Sequence, residues 1–582
     1  MIRLLTLFSI ILLLIECEPS TKDPTVEAMA EVKDPIIVPA SDFIYELPKG
    51  DVIAGARSLN TDWVFNNTAI VLNSRTNLMT TLDVPEGGEY NLFARGIGSG
   101  RSSFKVVVND RISENVFGSD TVARLENGGR FIFNKGKNVI KISRIETGSA
   151  FDVLVFTKAE SITDEDIKTY QLTEDVQLLK EYEIPRSGAV KFGDVDGDNQ
   201  TDFLVLTRDY SAHVFDNTGK KLWSWESPEI YRRERSEFEA PGVLWDFDKN
   251  GKAEVVHWRQ SDEKEWLTIA NGITGEVIRQ TEWPTKPLPH VYNNFRLAIG
   301  KLTDGDPNEI LVFTDMGGTI RVDAYDSDLN HLWNHTEIRK KDNLGHYVYP
   351  VDLDKDGIDE VLVGSLLLDS DGKEIWNRFD FLYDNHDHAD NYKFADINQD
   401  GRTDLVTANS ETGVFMFDGM SGEIIWQQVA EHTQQIEVGD FLDGERIPQI
   451  VAGARTYGNR RAGEAYLWSQ LYWYTSQGEL LFKWPQKPIN GNPDFVKGDW
   501  KGNGYDQLFW FKFLINRKGE GELYFPDPVF HMFDFTGNGA EEVITLSPGY
   551  LRIYSSGSRL MGKDKKQNLN YLKHKVVNHT HY

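Results

Sequence analysis

The chain has 582 residues, of which 40% are hydrophobic and 12% aromatic, so it can bury a large core in more than one domain. Its formal net charge of −28 excludes the basic surface that a nucleic-acid-binding protein needs, and we expect no nucleic-acid partner. Cys17 is the single cysteine, which excludes a disulfide within the chain.

The N-terminal segment reads MIRLLTLFSIILLLIEC, with Arg3 ahead of an almost wholly apolar run over residues 4–15. A run of this length is typical of a secretory signal and is too short for a stable membrane span. We therefore predict a signal peptide over residues 1–17 and an exported protein. Cys17 stands where a bacterial lipoprotein signal places its acylated cysteine, although Glu16 is not the usual small residue. A surface lipoprotein and a periplasmic or extracellular protein both remain open, and a lipid anchor is the only membrane contact we expect.

Two segments precede the main part of the chain. Residues 18–42 are polar and contain several prolines, as in a linker. Residues 43–158 carry short alternating runs such as EYNLFARG, FKVVVND and NVIKISRI, separated by turn residues, and this pattern predicts an antiparallel β-sandwich. The order of these runs resembles the jelly-roll carbohydrate-binding modules of secreted polysaccharide-degrading enzymes. The alternative is a structural sandwich that packs on its neighbour.

A repeat fills residues 177–560 and precedes a tail at 561–582. Each copy has an apolar strand, an acidic loop and a second apolar strand, as in VKFGDVDGDNQTDFLVLT at 190–207, and many copies close with a glycine turn and a tryptophan strand. The loops start at 194, 246, 301, 352, 396, 440, 499 and 534, which gives intervals of 35 to 59 residues. This spacing predicts an all-β fold with a β-propeller of eight blades rather than seven. VQLLKEYEIP at 176–185 is positioned to supply the outer strand that closes the ring.

Several acidic loops place oxygen ligands at alternate positions, with a further carboxylate eight positions after the first. Hard oxygen ligands in a flexible loop suit Ca²⁺, whereas an ordinary Asp/Asn/Gly turn binds no ion. Because the loop recurs once per repeat, we expect any calcium to be structural. The loop at 246–254 has a similar pattern. The three richest loops contain Asp194, Asp196, Asp198 and Asp202; Asp352, Asp354, Asp356 and Glu360; and Asp396, Asn398, Asp400 and Asp404.

Histidine, tyrosine and arginine side chains stand at the other ends of these strands. Residues that enter a first strand or leave a second strand should meet on the rim opposite the acidic loops. The predicted catalytic residues are His346, His388, His432 and Tyr292. The predicted substrate-binding residues are Arg259, Arg455, Tyr457, His386 and Arg296.

This residue set fits β-elimination at a uronic acid. An arginine or a cation neutralises the carboxylate, a neutral histidine or a tyrosine removes the C5 proton, and a tyrosine or histidine protonates the departing O4. Glycoside hydrolysis would instead need two carboxylates, and Asp384, Asp387 and Asp390 keep that alternative open. Three imidazoles on one rim are also suitable ligands for Zn²⁺.

The repeats resemble the FG-GAP or VCBS type. With GHYVYPVDLDKDGIDEVLVG and HDHADNYKFADINQDG, the chain looks like the rhamnogalacturonan lyases and the propeller lyases that act on ulvan and on rhamnose–glucuronate linkages. The resemblance implies an acidic polysaccharide substrate, with His346 and His388 as base and acid and Arg455 or Arg259 as the carboxylate clamp. FG-GAP propellers also serve as recognition platforms, so a non-catalytic glycan-binding or adhesion protein is the main alternative, followed by a glycoside hydrolase. We expect a monomer.

Overall fold

The computed structural model describes residues 35–61, 63–99, 101–168, 176–228, 241–261, 264–285, 295–315, 319–338, 345–379, 387–443, 448–455, 468–491, 494–556 and 573. Five predicted functional residues lie outside these ranges: Cys17, Tyr292, Asp384, His386 and Tyr457. The described part of the chain is almost entirely β. Its helices are an α-helix at Asp164–Ile167 and 3-10 helices at Ala40–Glu46, Ala56–Leu59 and Phe65–Asn67. In these ranges we find no helix with the length and apolar character of a membrane span.

The first ten strands form two antiparallel sheets, one ordered β2-β3-β10-β5-β8 with β1 paired to β10, the other β4-β9-β6-β7. Their bounds are β1 Ile36–Pro39, β2 Val52–Ala54, β3 Ala69–Leu72, β4 Leu78–Val84, β5 Gly88–Ile97, β6 Ser103–Val108, β7 Arg111–Ile112, β8 Arg124–Phe133, β9 Gly136–Glu146 and β10 Ser149–Thr157. Alternate side chains point into an aromatic core, where the rings of Phe104 and Phe151 lie 5.7 Å apart. Because β1 pairs with β10, this unit begins inside the segment 18–42 that the sequence predicted to be a linker.

Eight four-stranded antiparallel sheets follow in the described ranges, and we number them in chain order. The first four contain β12 Ser187–Gly193, β13 Asp202–Thr207, β14 Ala212–Phe215 and β15 Lys221–Trp225; β16 Gly242–Trp245, β17 Glu254–Ser261, β18 Lys264–Ala270 and β19 Val277–Glu282; β20 Phe295–Gly300, β21 Glu309–Asp315, β22 Thr319–Tyr325 and β23 His331–Ile338; and β24 Val348–Val351, β25 Glu360–Val363, β26 Leu366–Leu368 and β27 Glu374–Asn377.

The last four sheets continue the pattern. They contain β28 Ala389–Ala395, β29 Asp404–Asn409, β30 Gly413–Asp418 and β31 Ile424–Gln428; β32 Thr433–Gly439, β33 Gln449–Arg455, β34 Trp468–Tyr474 and β35 Leu480–Asn490; β36 Phe495–Gly498, β37 Gln507–Trp510, β38 Phe513–Ile515 and β39 Gly521–Tyr524; and β40 Val529–Phe533, β41 Glu542–Ser547 and β42 Tyr550–Ser556 with β11 Val176–Glu183. The prediction that residues 176–185 supply an outer strand is confirmed, because β11 pairs with β42 in the eighth sheet.

Tryptophans in the outer strands join neighbouring sheets. The indole of Trp223 donates from Nε1 to Gly272 O in the next sheet at 2.8 Å. A Cβ on Gly275 would lie 2.7 Å from the same ring, so the close approach requires glycine there. The same donation recurs from Trp333 to Ser370 O, from Trp376 to Gly419 O and from Trp426 to Ser476 O. These indoles therefore fasten one sheet to the next and do not only fill the core of their own sheet.

The eighth sheet also contacts the first. Tyr182 of β11 donates to Asn217 O at 2.8 Å and would meet a Cβ on Gly219 at 2.7 Å, so it occupies the place that tryptophan takes at other junctions. On the first strands, the rings of Phe192 and Phe533 lie 5.0 Å apart. The eighth sheet therefore packs directly against the first.

Two further contacts join segments outside the eight sheets to the repeat region. Trp63 and Phe65, which precede β3 in the N-terminal unit, line one crevice together with Phe513 and Tyr524 of the seventh sheet. Within the predicted tail, the ammonium of Lys573 pairs with the carboxylate of Asp359, and both side chains are buried. The N-terminal unit is therefore packed against the repeat region, and Lys573 contacts the acidic loop of the fourth sheet.

Candidate active site

Strand β28 separates two groups of polar residues. His388 comes immediately before β28, and Asp396 begins the acidic loop immediately after it. A strand of this length spans roughly 20 Å, so the two groups lie at opposite ends. The histidines at 346, 388 and 432 therefore belong to one rim of the repeat region and the acidic loops to the other.

The pairing of β28 with β29 shifts by one residue at Asp390. Ala389 opposes Asn409, and Asn391 already opposes Ala408, so Asp390 is an extra residue in the ladder. An extra residue in one strand turns its side chain out of the regular alternation. This irregularity directs the Asp390 carboxylate into the rim.

Asp390 stands between two imidazoles. Its Oδ1 lies 3.3 Å from Nε2 of His346 and 3.3 Å from Nε2 of His388. The two rings meet at 85° with centroids 4.7 Å apart. His346 and Asp390 are fully enclosed, whereas the His388 side chain keeps 12% of its surface exposed. These three residues form what we call the His–Asp–His cluster.

The hairpin between β29 and β30 supports the cluster. Ser410 Oγ donates to Asp390 Oδ2 and lies 3.1 Å from His388 Nε2. The Ser410 amide donates to His388 O at 3.1 Å. Asp387, also buried, accepts from the amides of His388 and Glu411 and from the hydroxyl of Thr412. Asp387 and Asp390 are thus both held by neighbouring groups, unlike the pair of substrate-facing carboxylates that glycoside hydrolysis needs.

His432 lies beside this cluster, at the entry to β32. Its Nδ1 is 3.5 Å from Glu411 Oε1, its Nε2 is 3.1 Å from Gln434 Nε2, and its carbonyl accepts from the amide of Arg455 at 2.7 Å. The His432 side chain keeps 14% of its surface exposed. The rim thus combines a partly exposed imidazole with an arginine from the adjacent strand.

Burial and neighbouring charges fix the protonation states of the cluster. Burial lowers the pKa of His346 to about 4, against the attraction of Asp390. Burial raises the pKa of Asp390, but the interactions with His388 and His346 outweigh it and hold that pKa below its ordinary value. Burial also lowers the pKa of His432, with Arg455 acting in the same direction and the carboxylates of Asp390 and Glu411 against it. At neutral pH, Asp390 is therefore ionised and His346 and His432 are neutral.

The remaining predicted substrate contacts lie in different places. Arg296 is buried beside the cluster, with its guanidinium 4.9 Å from the ring centroid of Tyr347. Arg259 donates to His257 Nε2 at 2.8 Å and to Gly275 O at 3.0 Å, and its guanidinium lies 5.6 Å from the Trp223 ring. These contacts fix Arg259 between the first and second sheets, so the structure does not bring it to the histidines.

The acidic loops differ in how well their donors converge. Ligand oxygens of Asp194, Asp196 and Asp202 lie within 4.8 Å of one another, as do those of Asp352, Asp354 and Asp356. A third set of this kind comprises Asp246, Asp248 and Glu254.

The last predicted ligand of two of these loops also accepts a hydrogen bond from the loop backbone. Asp202 Oδ2 accepts from Val195 N at 2.9 Å, and Glu360 Oε2 accepts from Leu353 N at 2.8 Å. One oxygen of each of these predicted calcium ligands therefore accepts a hydrogen bond from a backbone amide of the loop.

The loop at 396–404 is arranged differently. The Asn398 amide nitrogen faces Asp400 and Asp404 at 3.2 and 3.3 Å, and Arg402 pairs with Asp400 at 2.8 Å. Asp404 also accepts from Ile397 N at 2.8 Å. In this loop, donors from the chain occupy positions around the carboxylates.

Residues that sequence reasoning missed complete the rim. Asp390 appeared there only as a possible hydrolytic carboxylate, and Ser410, Glu411 and Gln434 were not singled out. The one available signal was that the hairpin at 410–412 follows a second strand, which places it on the histidine rim.

The fold is similar to that of two solved rhamnogalacturonan lyases. The Bacillus licheniformis rhamnogalacturonan lyase PL11 matches with a TM-score of 0.51 and 15% identity, over 89% of this chain and 91% of that one. The rhamnogalacturonan lyase YesW matches with a TM-score of 0.51 and 14% identity, over the same shares of the two chains. At these identities the likeness shows a shared fold. No family model and no curated protein matches the chain.

Proposed function

We propose that the chain is a polysaccharide lyase that cleaves a polysaccharide containing rhamnose and uronic acid by β-elimination. The observation that carries this proposal is the His–Asp–His cluster with His432 beside it on one rim. The shared fold with rhamnogalacturonan lyases supports it. The alternative of a glycoside hydrolase is disfavoured because Asp387 and Asp390, the two candidate hydrolytic carboxylates that the structure describes, are buried and hydrogen-bonded.

We further propose that the eight sheets are the blades of a β-propeller of the FG-GAP type. Three features support a closed ring: the sheets have equal strand number, outer-strand indoles fasten neighbouring sheets at four junctions, and Tyr182 joins the eighth sheet to the first. In such a ring the histidine rim is one face and the acidic loops are the other.

The His–Asp–His cluster is suited to hold a divalent cation. Tetrahedral ligands at about 2.0–2.1 Å from a zinc ion lie roughly 3.3–3.4 Å from one another. The Asp390 oxygen lies 3.3 Å from each imidazole nitrogen, which agrees with that spacing. His346, Asp390 and His388 would be the ligands, and the neutral His346 and ionised Asp390 are in the protonation states that metal binding requires. A cation bound there would neutralise the uronate carboxylate and so acidify the C5 proton.

Other residues of the rim would stabilise the developing negative charge and remove the C5 proton. Arg455, whose amide donates to His432 O, would pair with the substrate carboxylate, and this pairing would stabilise the negative charge that develops as the C5 proton leaves. The neutral imidazole of His432 accepts that proton, the C4–C5 double bond forms, and the C4–O4 bond breaks with its electron pair on O4, which takes a proton from water. The enclosed His346, 3.3 Å from Asp390, would position that carboxylate rather than contact the sugar. His388, which is partly exposed, faces the substrate side of the cluster.

The acidic loops, in this proposal, bind structural Ca²⁺. The loops at 194–202, 246–254 and 352–360 fit the ion best, because three carboxylates of each loop converge. The loop at 396–404 fits it less well, because Asn398 turns its amide nitrogen toward the carboxylates. We also propose an exported monomer that acts on an acidic polysaccharide, with the N-terminal sandwich packed on the repeat region.

The test is incubation of the full chain with ulvan, rhamnogalacturonan and glucuronate-containing gum polysaccharides, with and without prior chelation and with Zn²⁺, Mn²⁺ or Ca²⁺ restored separately. β-Elimination leaves a C4–C5 double bond that absorbs in the far ultraviolet, so a rise in absorbance on one polymer is the expected result. New reducing ends without that absorbance would show a hydrolase and overturn the proposal. Binding without any cleavage would show a glycan-binding protein.

A further inference from the structure

Asp387 is a buried carboxylate outside the His–Asp–His cluster. Its Oδ1 accepts from His388 N at 2.9 Å and from Glu411 N at 2.7 Å, and its Oδ2 accepts from the hydroxyl of Thr412. These donors belong to two segments that are far apart in sequence, the entry to β28 and the hairpin between β29 and β30. One side chain therefore ties the two segments together.

The two segments supply groups that contact Asp390 of the His–Asp–His cluster and His432, the proposed base. The entry to β28 supplies His388, which faces Asp390 at 3.3 Å. The hairpin supplies Ser410, which donates to Asp390, and Glu411, which lies 3.5 Å from His432. A shift of the hairpin relative to β28 would move Ser410 away from Asp390 and Glu411 relative to His432.

We propose that Asp387 is a positioning residue that fixes His388 against Asp390 and holds Glu411 beside His432. The inference rests on the proposed function of this rim. Asp387 is wholly enclosed, so it would act on the reaction centre through its hydrogen-bond donors and through its charge beside His388 rather than by contact with the polysaccharide. Charged acceptors make the stronger hydrogen bonds, so one buried carboxylate can order both segments.

Conservative substitutions at Asp387 and Thr412 can separate a positioning role of Asp387 from a role in packing alone. Asp387→Asn keeps the volume and one oxygen, which can still accept from the two amides, while the Thr412 hydroxyl can rotate to accept from the new amide. Asp387→Ala removes all three hydrogen bonds. Thr412→Val removes only the hydroxyl donor. Asp209→Ala is the matched control, because Asp209 accepts from Thr207 Oγ1 and from Ser211 N at the corresponding hairpin of the first sheet.

The experiment compares the full-length wild type with these four variants in kcat, KM, melting temperature and Zn²⁺ affinity by competition with a chromogenic chelator. We expect Asp387→Ala to lower kcat about 10- to 100-fold and Zn²⁺ affinity by a similar factor, with KM changed less than about threefold. Asp387→Asn should keep kcat and Zn²⁺ affinity close to the wild-type values. Thr412→Val should give values between those of Asp387→Asn and Asp387→Ala, and Asp209→Ala should match the wild type.

Two outcomes separate failure of the positioning role of Asp387 from failure of the proposed lyase activity. A lower melting temperature for Asp387→Ala with kcat and Zn²⁺ affinity unchanged would overturn the positioning role and leave Asp387 as a packing residue. A wild-type chain that cleaves no polysaccharide would overturn the proposed function, while a Zn²⁺ affinity lost in Asp387→Ala and recovered in Asp387→Asn would still support the positioning of His388.

Discussion

His346 and His388 meet edge to face, with ring centroids 4.7 Å apart, although they enter two different sheets and are separated by 42 residues in the chain (388 − 346). Asp390 Oδ1 lies 3.3 Å from Nε2 of each. The two imidazoles and the carboxylate therefore share one enclosed position, and removing one of them changes the environment of the other two.

His388→Ala should lower kcat/KM by at least about 100-fold, because the cluster loses the imidazole that faces the substrate side. The melting temperature should change little, since Ser410 continues to donate to Asp390 and His346 remains beside it. Activity is followed by the ultraviolet absorbance of the unsaturated product and melting by circular dichroism. His335→Ala, on outer strand β23, is the control and should keep full activity. Full activity per folded molecule of His388→Ala would contradict the assignment.

The pH profile should report His432. A general base must be neutral, so kcat/KM falls as the pH drops through the pKa of this imidazole. Because burial lowers that pKa from its ordinary value of 6.5, the acid limb should lie below pH 6.5. The Glu411 carboxylate raises the pKa of His432, so Glu411→Gln should move the acid limb to still lower pH. Glu423→Gln, at an exposed hairpin of the same sheet, should leave the limb in place. An upward shift in Glu411→Gln would show that another group controls the profile.

Much of the fold could be predicted from the sequence because it depends on local, repeated patterns. The acidic loops mark the joint between first and second strands, and the strand-like segment of β11 precedes the first repeat without an acidic loop of its own. The placement of His388 and Asp396 at opposite ends of β28 follows from strand geometry alone.

The cluster itself could not be predicted in this way. Simple alternation assigns Asp390 to a strand face, and only the register shift at this residue turns it between the two imidazoles. Arg259 shows the opposite error. Its place at the end of a second strand suggested the rim, but its contacts with Gly275 and Trp223 hold it between two sheets. Both outcomes depend on packing between segments that are distant in sequence, which no local pattern records.

Calcium should stabilise the fold without taking part in the reaction. Asp354→Ala removes a carboxylate from the converging set at 352–356, so the melting temperature in Ca²⁺ should fall toward that of chelated wild type. kcat/KM per folded molecule should stay within about twofold, because the loop lies at the far end of its strand from the histidine rim. Asp304→Ala, in a loop with fewer ligands, is the control and should not change the calcium dependence of melting. A large loss of activity in Asp354→Ala at unchanged melting temperature would contradict a structural role.

The junctions between sheets should depend on their indoles. Trp426 donates from Nε1 to Ser476 O at 3.0 Å, and its ring lies against Gly478, where a Cβ would approach to 2.7 Å. Trp426→Ala removes this hydrogen bond and leaves a gap between the fifth and sixth sheets, so it should lower the free energy of unfolding by about 2–3 kcal/mol. The neighbouring Ile425 is 43% exposed, and Ile425→Ala should cost under about 0.5 kcal/mol. Denaturant unfolding of both variants measures the difference, and equal losses would show that the indole does not fasten the two sheets.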